Sequence, residues 1–479
     1  MDIIVSVIEA VCTFLWGDLV TLQLPGGSSF GLPLLVIILI PTGLFFTIRT
    51  RVLPLRLWRE ILSVTLENKK KDNTAISGMQ ALIVSTATRV GMGNLAGVVA
   101  AISAGGAGAV FWMWITAIIG SSTAFAEAVL AQQHKQKDPL YGGFRGGPAY
   151  YIHDFFVEKV YKKKKKRTVI ASLFAVSGLI CWFGISQVIG NSVSSSFETA
   201  FGIPPLYSTA ALVLIAALIV LKKNATVKVL DVIVPLMAGV YFFITLFLII
   251  KNITVIPAVF ENIFKEAFGF RQAAAGGFGA VIMNGVKRGL FSNEAGSGSA
   301  PCAAAAADID HPVKMGLSQA FGVFIDTIVI CSCTAFIILM TPVSALGEAS
   351  GMSLIQASMN YHLGYFGVVF IAVILWLFSF STFIGILFYA RSNVAYLFGD
   401  SSIAQLIYKA AALVMLFVGG LSAYSVVWDL GDVGIGLMTI FNVIVLWPMS
   451  GDVIRALKDY EENYIKTGNK RFVIRKKSL

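Results

Sequence analysis

The sequence predicts an all-α integral membrane protein, and three observations carry that prediction. Apolar residues fill 57% of the 479 positions and charged residues only 13%, whereas a soluble domain carries about 25% charged residues. Mean hydropathy is +0.79. Apolar runs at 32–48, 208–221, 229–250 and 368–387 approach or exceed the ~20 residues a helix needs to cross a bilayer. Lipid offers a backbone no hydrogen-bond partners, so such runs cross as helices that satisfy their own N–H and C=O groups.

Taken in order, the chain reads as eleven spans: 31–48, 77–103, 108–132, 168–190, 205–221, 229–250, 272–290, 314–340, 364–388, 404–421 and 430–448. Charge sorts the segments between them. Residues 49–72 hold seven Lys or Arg, 133–167 hold ten and 449–479 hold eight, while 222–228 and 287–314 hold three each. On the opposite side, 1–30, 104–107, 191–204, 341–363 and 422–429 hold none, and 251–271 holds three. The positive-inside rule then places the N-terminus outside a plasma membrane and the basic tail 449–479 in the cytoplasm. The net charge of +11 thus reads as membrane orientation and not as a nucleic-acid surface. The run Lys162–Lys166 with Arg167 is a cytoplasmic retention signal, with anionic lipid as its alternative partner. The N-terminal segment 1–30 lacks the basic start of a signal peptide, and 3–15 has the apolar spacing of a short helix lying on the membrane surface.

Setting 31–48 aside as an extra span leaves ten, which divide into 77–250 and 272–448. A set of five is odd, so the second set enters the membrane from the opposite side. That is a five-plus-five inverted repeat, the build of many secondary transporters.

Both sets open on a span interrupted by glycine. In the first, Gly91-Met92-Gly93-Asn94 follows Arg89 and Val90 midway through an apolar segment; in the second, Gly276-Gly277-Phe278-Gly279 follows three alanines. Two glycines so close cost a helix about 2 kcal/mol, and an unwound turn inside a membrane persists only where it lines a cavity or is covered by protein. Its exposed amides attract a carboxylate, and its carbonyls coordinate a cation or an ammonium. The competing reading is close helix packing. Polar residues within the spans are few: Arg89, Glu127, Gln187, Asn191 and Asp326. A charge there costs ~3 kcal/mol or more, which predicts that Arg89 pairs with Glu127 or Asp326. Ser379, Ser381 and Thr382 offer hydroxyls suited to sodium, though such hydroxyls often bond their own helix.

Enzyme chemistry finds no support. His134, His153, His311 and His362 lack metal-ligand spacing, there is no phosphate-binding G-x-x-x-x-G-K-[ST] loop, and no organic cofactor is called for. Cys12, Cys181, Cys302, Cys331 and Cys333 form no C-x-x-C pair.

At these residues the chain resembles the alanine or glycine:cation symporter family. The matching stretches are Gly91-Met92-Gly93-Asn94-Leu95-Ala96-Gly97-Val98, Gly146-Gly147-Pro148-Ala149-Tyr150-Tyr151-Ile152 and, most specific, the run 288–301 (Arg-Gly-Leu-Phe-Ser-Asn-Glu-Ala-Gly-Ser-Gly-Ser-Ala-Pro) with His311-Pro312-Val313-Lys314. The resemblance implies a LeuT-type fold and sodium-coupled, sometimes proton-coupled, uptake of a small neutral amino acid. It implies a substrate site at Gly91, Met92, Gly93, Asn94, Gln187, Asn191, Gly277, Phe278 and Ile386. Sodium is expected between the carbonyls of Arg89 and Val90 and the hydroxyls of Ser381 and Thr382. Two departures stand out: Met92 replaces the family's Thr, and Ile386 replaces a Trp, which predicts room for a substrate as large as glutamine. An amino-acid sensor without transport, and a proton-coupled or facilitative transporter of the same substrates, are the alternatives.

Overall fold

A computed structural model of the chain describes residues 2–23, 29–67, 75–221, 225–268, 278–347, 349–422 and 424–465. Its principal helices are α1 (Asp2–Trp16), α2 (Leu34–Arg49), α3 (Gly78–Arg89), α4 (Gly93–Gly105), α5 (Gly108–Gln133), α6 (Val169–Phe201), α7 (Pro205–Val220), α8 (Ala225–Lys251), α9 (Phe278–Asn293), α10 (Pro301–Ala306), α11 (Pro312–Leu339), α12 (Tyr365–Phe398), α13 (Ser402–Gly420) and α14 (Tyr424–Asp459). Among the described residues seven helices are long and apolar enough to cross a membrane, or eight when the bent pair α3–α4 counts as one. The protein is a multi-pass membrane helix bundle. Shorter apolar helices include α2 and α7, which lie at the expected first and fifth spans.

Helix α6 packs against α12, α13 and α14, and α5 packs against α2, α9 and α11. The interrupted segments sit between these groups, α3 on α12 and α8, and α9 on α5. An antiparallel pair, β1 (Asp18–Gln23) and β2 (Ser29–Pro33), joins α1 to α2. Helix α1 does more than lie on a membrane surface: it packs on α14, buries Leu15 and Trp16, and donates the Trp16 indole N–H to the Asp432 carbonyl at 3.1 Å.

The start of α3 is a capping box. Ser77 Oγ accepts the Gln80 N–H, and Gln80 Oε1 accepts the Ser77 N–H, both at 3.1 Å. The helix stops after Arg89, and the chain turns 45° before α4 begins at Gly93. The expected interruption at 276–279 falls partly outside the described residues, and the second interruption that is described lies further on. Gly277 lies outside the described residues and Phe278 opens α9, which continues unbroken to Asn293. The helix gives way over 294–300, where Glu294, Gly296 and Gly298 have φ of 58°, 95° and 83°. Glycine tolerates such angles without steric cost. Pro301 then restarts a helix at its first position, where its missing N–H is no loss.

Beyond both interruptions the chain segments meet. Ile76, just before α3, forms a parallel bridge with Ala307, just after α10, and the Asp308 N–H donates to the Ile76 carbonyl at 2.9 Å. Lys135 Nζ and Gln132 Nε2 donate to the Ala307 carbonyl at 2.7 and 3.0 Å.

Candidate transport site

At the first interruption the missing side chains of the two glycines make room for protein. A Cβ on Gly91 would stand 1.9 Å from Thr382 Oγ1, and a Cβ on Gly93 would stand 3.2 Å from Ser292 Cα of α9. The glycines thus bring the turn against α12 on one side and the second interrupted helix on the other. Met92, fully buried, donates its N–H to Thr382 Oγ1 at 3.3 Å. Asn94 was expected at the substrate; instead its side chain is engaged at both ends. Its Oδ1 accepts the Gly91 N–H at 2.8 Å, while its Nδ2 donates to Asp326 Oδ1 at 2.8 Å and to the Asp326 carbonyl at 3.0 Å.

Ser381 and Thr382 both aim at the end of α3. Their hydroxyls lie 3.4 and 3.3 Å from the Ala87 carbonyl, and 2.9 and 2.8 Å from the Phe378 carbonyl of their own helix. The carbonyl they face is therefore Ala87's. Arg89's carbonyl instead accepts the Gly91 N–H at 2.8 Å. Two hydroxyls and two carbonyls converging in a buried turn form a set of hard oxygens of the kind that binds an alkali cation.

The second interruption is held by a carboxylate. Glu127 Oε2 accepts the Gly296 N–H at 3.1 Å, and Oε1 accepts Asn442 Nδ2 at 2.5 Å. Asn442 also donates to the Gly296 carbonyl at 3.0 Å, and its Oδ1 accepts the Tyr151 hydroxyl. Asp326 joins the two interruptions, since besides Asn94 it accepts Ser292 Oγ at 3.0 Å and Thr327 Oγ1 at 2.6 Å. Arg89 does not pair with Glu127 or Asp326. Its guanidinium donates to Gln319 Oε1 at 2.9 Å and to the Gln319 carbonyl at 3.3 Å. An amide can meet the guanidinium without leaving its own charge behind, and α3 packs directly on α11, which carries Gln319. The acids act on Arg89 through space: Glu127, Glu294 and Asp326 all feel its charge.

Of the remaining expected residues, Asn191 lines a cavity of about 570 Å³ together with Ser103, Ser195, Asn284, Arg288 and Trp428. Its Nδ2 donates to the Ser422 carbonyl at 2.7 Å. Gln187 lies half-buried with Nε2 3.5 Å from Met415 Sδ of α13. Ile386 is buried on α12, next to Gly385, whose Cα faces Thr88 of α3. The cavity and the first interruption are linked by Phe291, whose ring lies against Gly93 and Gly97 and packs 5.0 Å from Trp428.

Sequence reasoning missed Glu294, Tyr389, Ser292 and Asn442 as site residues. It also counted Lys287 and Arg288 in a connecting segment, whereas both lie on α9 and pair with buried Asp432. Lys287 Nζ stands 2.7 Å from Asp432, Arg288 contacts both its oxygens, and the Arg288 guanidinium stacks 4.1 Å from the Trp428 ring. The one available signal was the 288–301 motif itself, which is too rich in Gly and Ser for a plain connector and too polar for a plain span.

A family model described as the sodium:alanine symporter family matches residues 22–474. The chain belongs to that family. It is similar to the probable sodium/glutamine symporter GlnT of Bacillus subtilis, with 43% identity over 89% of this chain and 87% of the relative. It is likewise similar to the amino-acid carrier protein AlsT of the same organism, at 42% over 90% of each, and to the sodium/alanine symporter AgcS of Methanococcus maripaludis, at 34% over 96% and 97%. These relatives are carriers, not enzymes, and this sodium:alanine symporter family member is a transporter of small neutral amino acids of the same kind. Its backbone also resembles a manganese transporter of Eremococcus coleocola, with a TM-score of 0.50 at 13% identity over 87% of this chain and 83% of that one, which is a likeness of fold alone.

Proposed function

We propose that this chain imports a small neutral amino acid with sodium across the plasma membrane by alternating access, and that glutamine is accepted beside alanine and glycine. The observation that carries the sodium arm is the convergence of Ser381 and Thr382 on the Ala87 carbonyl where α3 ends. Sodium has no fixed geometry to satisfy but needs several oxygens to replace its hydration shell. Here it takes Ser381, Thr382, the carbonyls of Ala87 and Phe378, and that of Val90 in the turn.

The substrate sits where the two interrupted helices meet. Its carboxylate lies toward the first turn of α4 and its ammonium toward the carbonyls of 294–298, with access through the cavity at Asn191. Departures at Met92 and Ile386 and the likeness to GlnT favour glutamine. Two five-helix sets, 77–250 and 272–448, follow the extra span 31–48, and an interrupted helix near the start of each set supports their inverted relation. The segments rich in Lys and Arg support an N-terminus outside and a C-terminus in the cytoplasm.

Uptake into proteoliposomes tests this reading. An inward sodium gradient should drive accumulation of labelled alanine, glycine and glutamine, whereas potassium should not. Accumulation that is the same without sodium would remove the coupling ion, and uptake confined to alanine and glycine would remove glutamine.

A further inference from the structure

The side chain of Glu294 has no role in the reading above, yet the residue occupies a demanding place. It is buried and nonglycine, and its backbone sits in the left-handed region, a conformation that persists only where its surroundings enforce it. That backbone opens the second interruption and sends the carboxylate to Tyr389 of α12, whose hydroxyl in turn reaches Thr88 of α3. One short chain of polar atoms therefore links the second interruption to the last turn before the first.

The chain can be counted in protons. Thr88 Oγ1 lies 2.9 Å from the Ser85 carbonyl, Tyr389 Oη lies 2.6 Å from Thr88 Oγ1, and Glu294 Oε2 lies 3.2 Å from Tyr389 Oη. Three contacts in series need three protons. Ser85 supplies only a carbonyl, and Thr88 and Tyr389 own one hydroxyl proton each. The third proton is available only if the Glu294 carboxyl carries it. With Glu294 ionised, the Tyr389 and Thr88 hydroxyls turn their protons toward it, directly or through one another, and the Ser85 carbonyl loses its hydroxyl.

Charge counting agrees. Three carboxylates, Glu127, Glu294 and Asp326, are buried around a single guanidinium, Arg89, which makes no ion pair within 4.0 Å among the described residues and bonds Gln319 instead. Uncompensated charge in a membrane interior is expensive. Asp326 accepts three side-chain donors, and Glu127 has a donor on each oxygen, which suits both to the ionised form. Glu294 has only the Tyr389 and Thr88 hydroxyls, whose protons the chain also needs elsewhere. The titratable groups that face it are Arg89 of α3, Asp326 of α11, Tyr389 of α12, and the thiols of Cys302 on α10 and Cys181 on α6.

We propose that Glu294 is a proton-binding site, and that the hydroxyl chain through Tyr389 and Thr88 links its protonation to the first interrupted helix. Its second consequence rests on the sodium reading above. Thr88 adjoins Ala87, so ionising Glu294 places a negative charge near the cation and reverses the hydroxyl chain beside it. Sodium binding and proton release favour one another, and by linkage the effect is reciprocal.

Infrared difference spectra of the purified, lipid-reconstituted protein between acid and alkaline pH test the proton site without transport. A protonated-carboxyl band distinct from that of the exposed carboxyls should appear at acid pH in the parent, vanish in Glu294→Gln and persist in Asp326→Asn. Where Glu294→Gln fails to fold, Tyr389→Phe serves, because removing the acceptor hydroxyl should move the band. Persistence of the band in folded Glu294→Gln, an unmoved band in Tyr389→Phe, or no band in the parent would each overturn the proposal. For the linkage, stabilisation by sodium should half-saturate at a concentration roughly 5-fold lower at alkaline than at acid pH, the low end of ordinary coupling between sites. Half-saturation independent of pH would overturn the linkage. A parent that sodium does not stabilise at all would overturn both the linkage and the sodium reading, leaving the infrared result to decide the proton site.

Discussion

The two interruptions solve one problem in opposite ways. The first spans only three residues and needs no unusual backbone: neither Gly91 nor Gly93 has positive φ, and what each contributes is the absence of a side chain against Thr382 and Ser292. The second spans seven residues and needs glycine for its angles, at Gly296 and Gly298, with Glu127 and Asn442 clamping the loop. Glycine serves proximity in the first and backbone conformation in the second. Substitutions should therefore impair movement and binding at the first interruption and folding at the second.

The sharpest way to break this contrast is a pair of alanine substitutions. Gly298→Ala combines a strained φ with a Cβ 2.7 Å from Pro148 Cγ and 2.9 Å from the Phe174 ring. Strain and overpacking at ~1–3 kcal/mol each should leave little folded protein in heated gel filtration. Gly93→Ala, at 3.2 Å from its neighbour, should stay folded with a loss below ~1 kcal/mol and yet transport slowly. Equal stability of the two variants would erase the distinction.

Next come the two asparagines that fasten the turns. Asn442→Leu leaves the Glu127 carboxylate without its 2.5 Å donor, a loss of ~1–3 kcal/mol or more for a charged group. Asn94→Leu removes an acceptor from Gly91 and a donor from Asp326, and should lower the maximal rate more than the melting temperature. Thermal melts set beside initial uptake rates separate the two effects.

A smaller effect is expected at the proposed ion. Ser381→Ala with Thr382→Ala removes two oxygens and should raise the sodium concentration for half-maximal uptake about 10-fold, equivalent to ~1.4 kcal/mol. Unchanged sodium dependence would place the ion elsewhere. Of similar size is the effect of Ile386→Trp, which narrows the site and should shift competition from glutamine toward alanine by roughly 10-fold, the low end for one methylene in an apolar pocket. Competition experiments in which glutamine holds its rank after this change would show that Ile386 does not bound the substrate.

Hydropathy was enough to place the seven or eight long apolar helices found among the described residues, because a buried span must be apolar along most of its length whatever it touches. The first interruption was equally legible, since Gly91-Met92-Gly93 stands in an apolar stretch. The second was not. Lys287, Arg288 and Glu294 made the end of α9 look like a connector, and their partners Asp432 and Tyr389 lie far along the chain where no local pattern points to them. Arg89 shows the same limit: its charge was evident, but its preference for Gln319 over an acid depends on which face of α11 meets α3.

The bridge between Ile76 and Ala307 constrains how such a machine can move. On the proposed alternating-access reading each interruption works as a hinge, and two independent hinges would let their half-helices swing separately, wasting ion binding on motions that carry nothing. Tying the segments next to the two half-helices with a backbone hydrogen bond, and bracing that joint with Lys135 and Gln132, reduces two levers to one. On that reading a tilt begun by either passenger passes through the joint and is felt at the seat of the other.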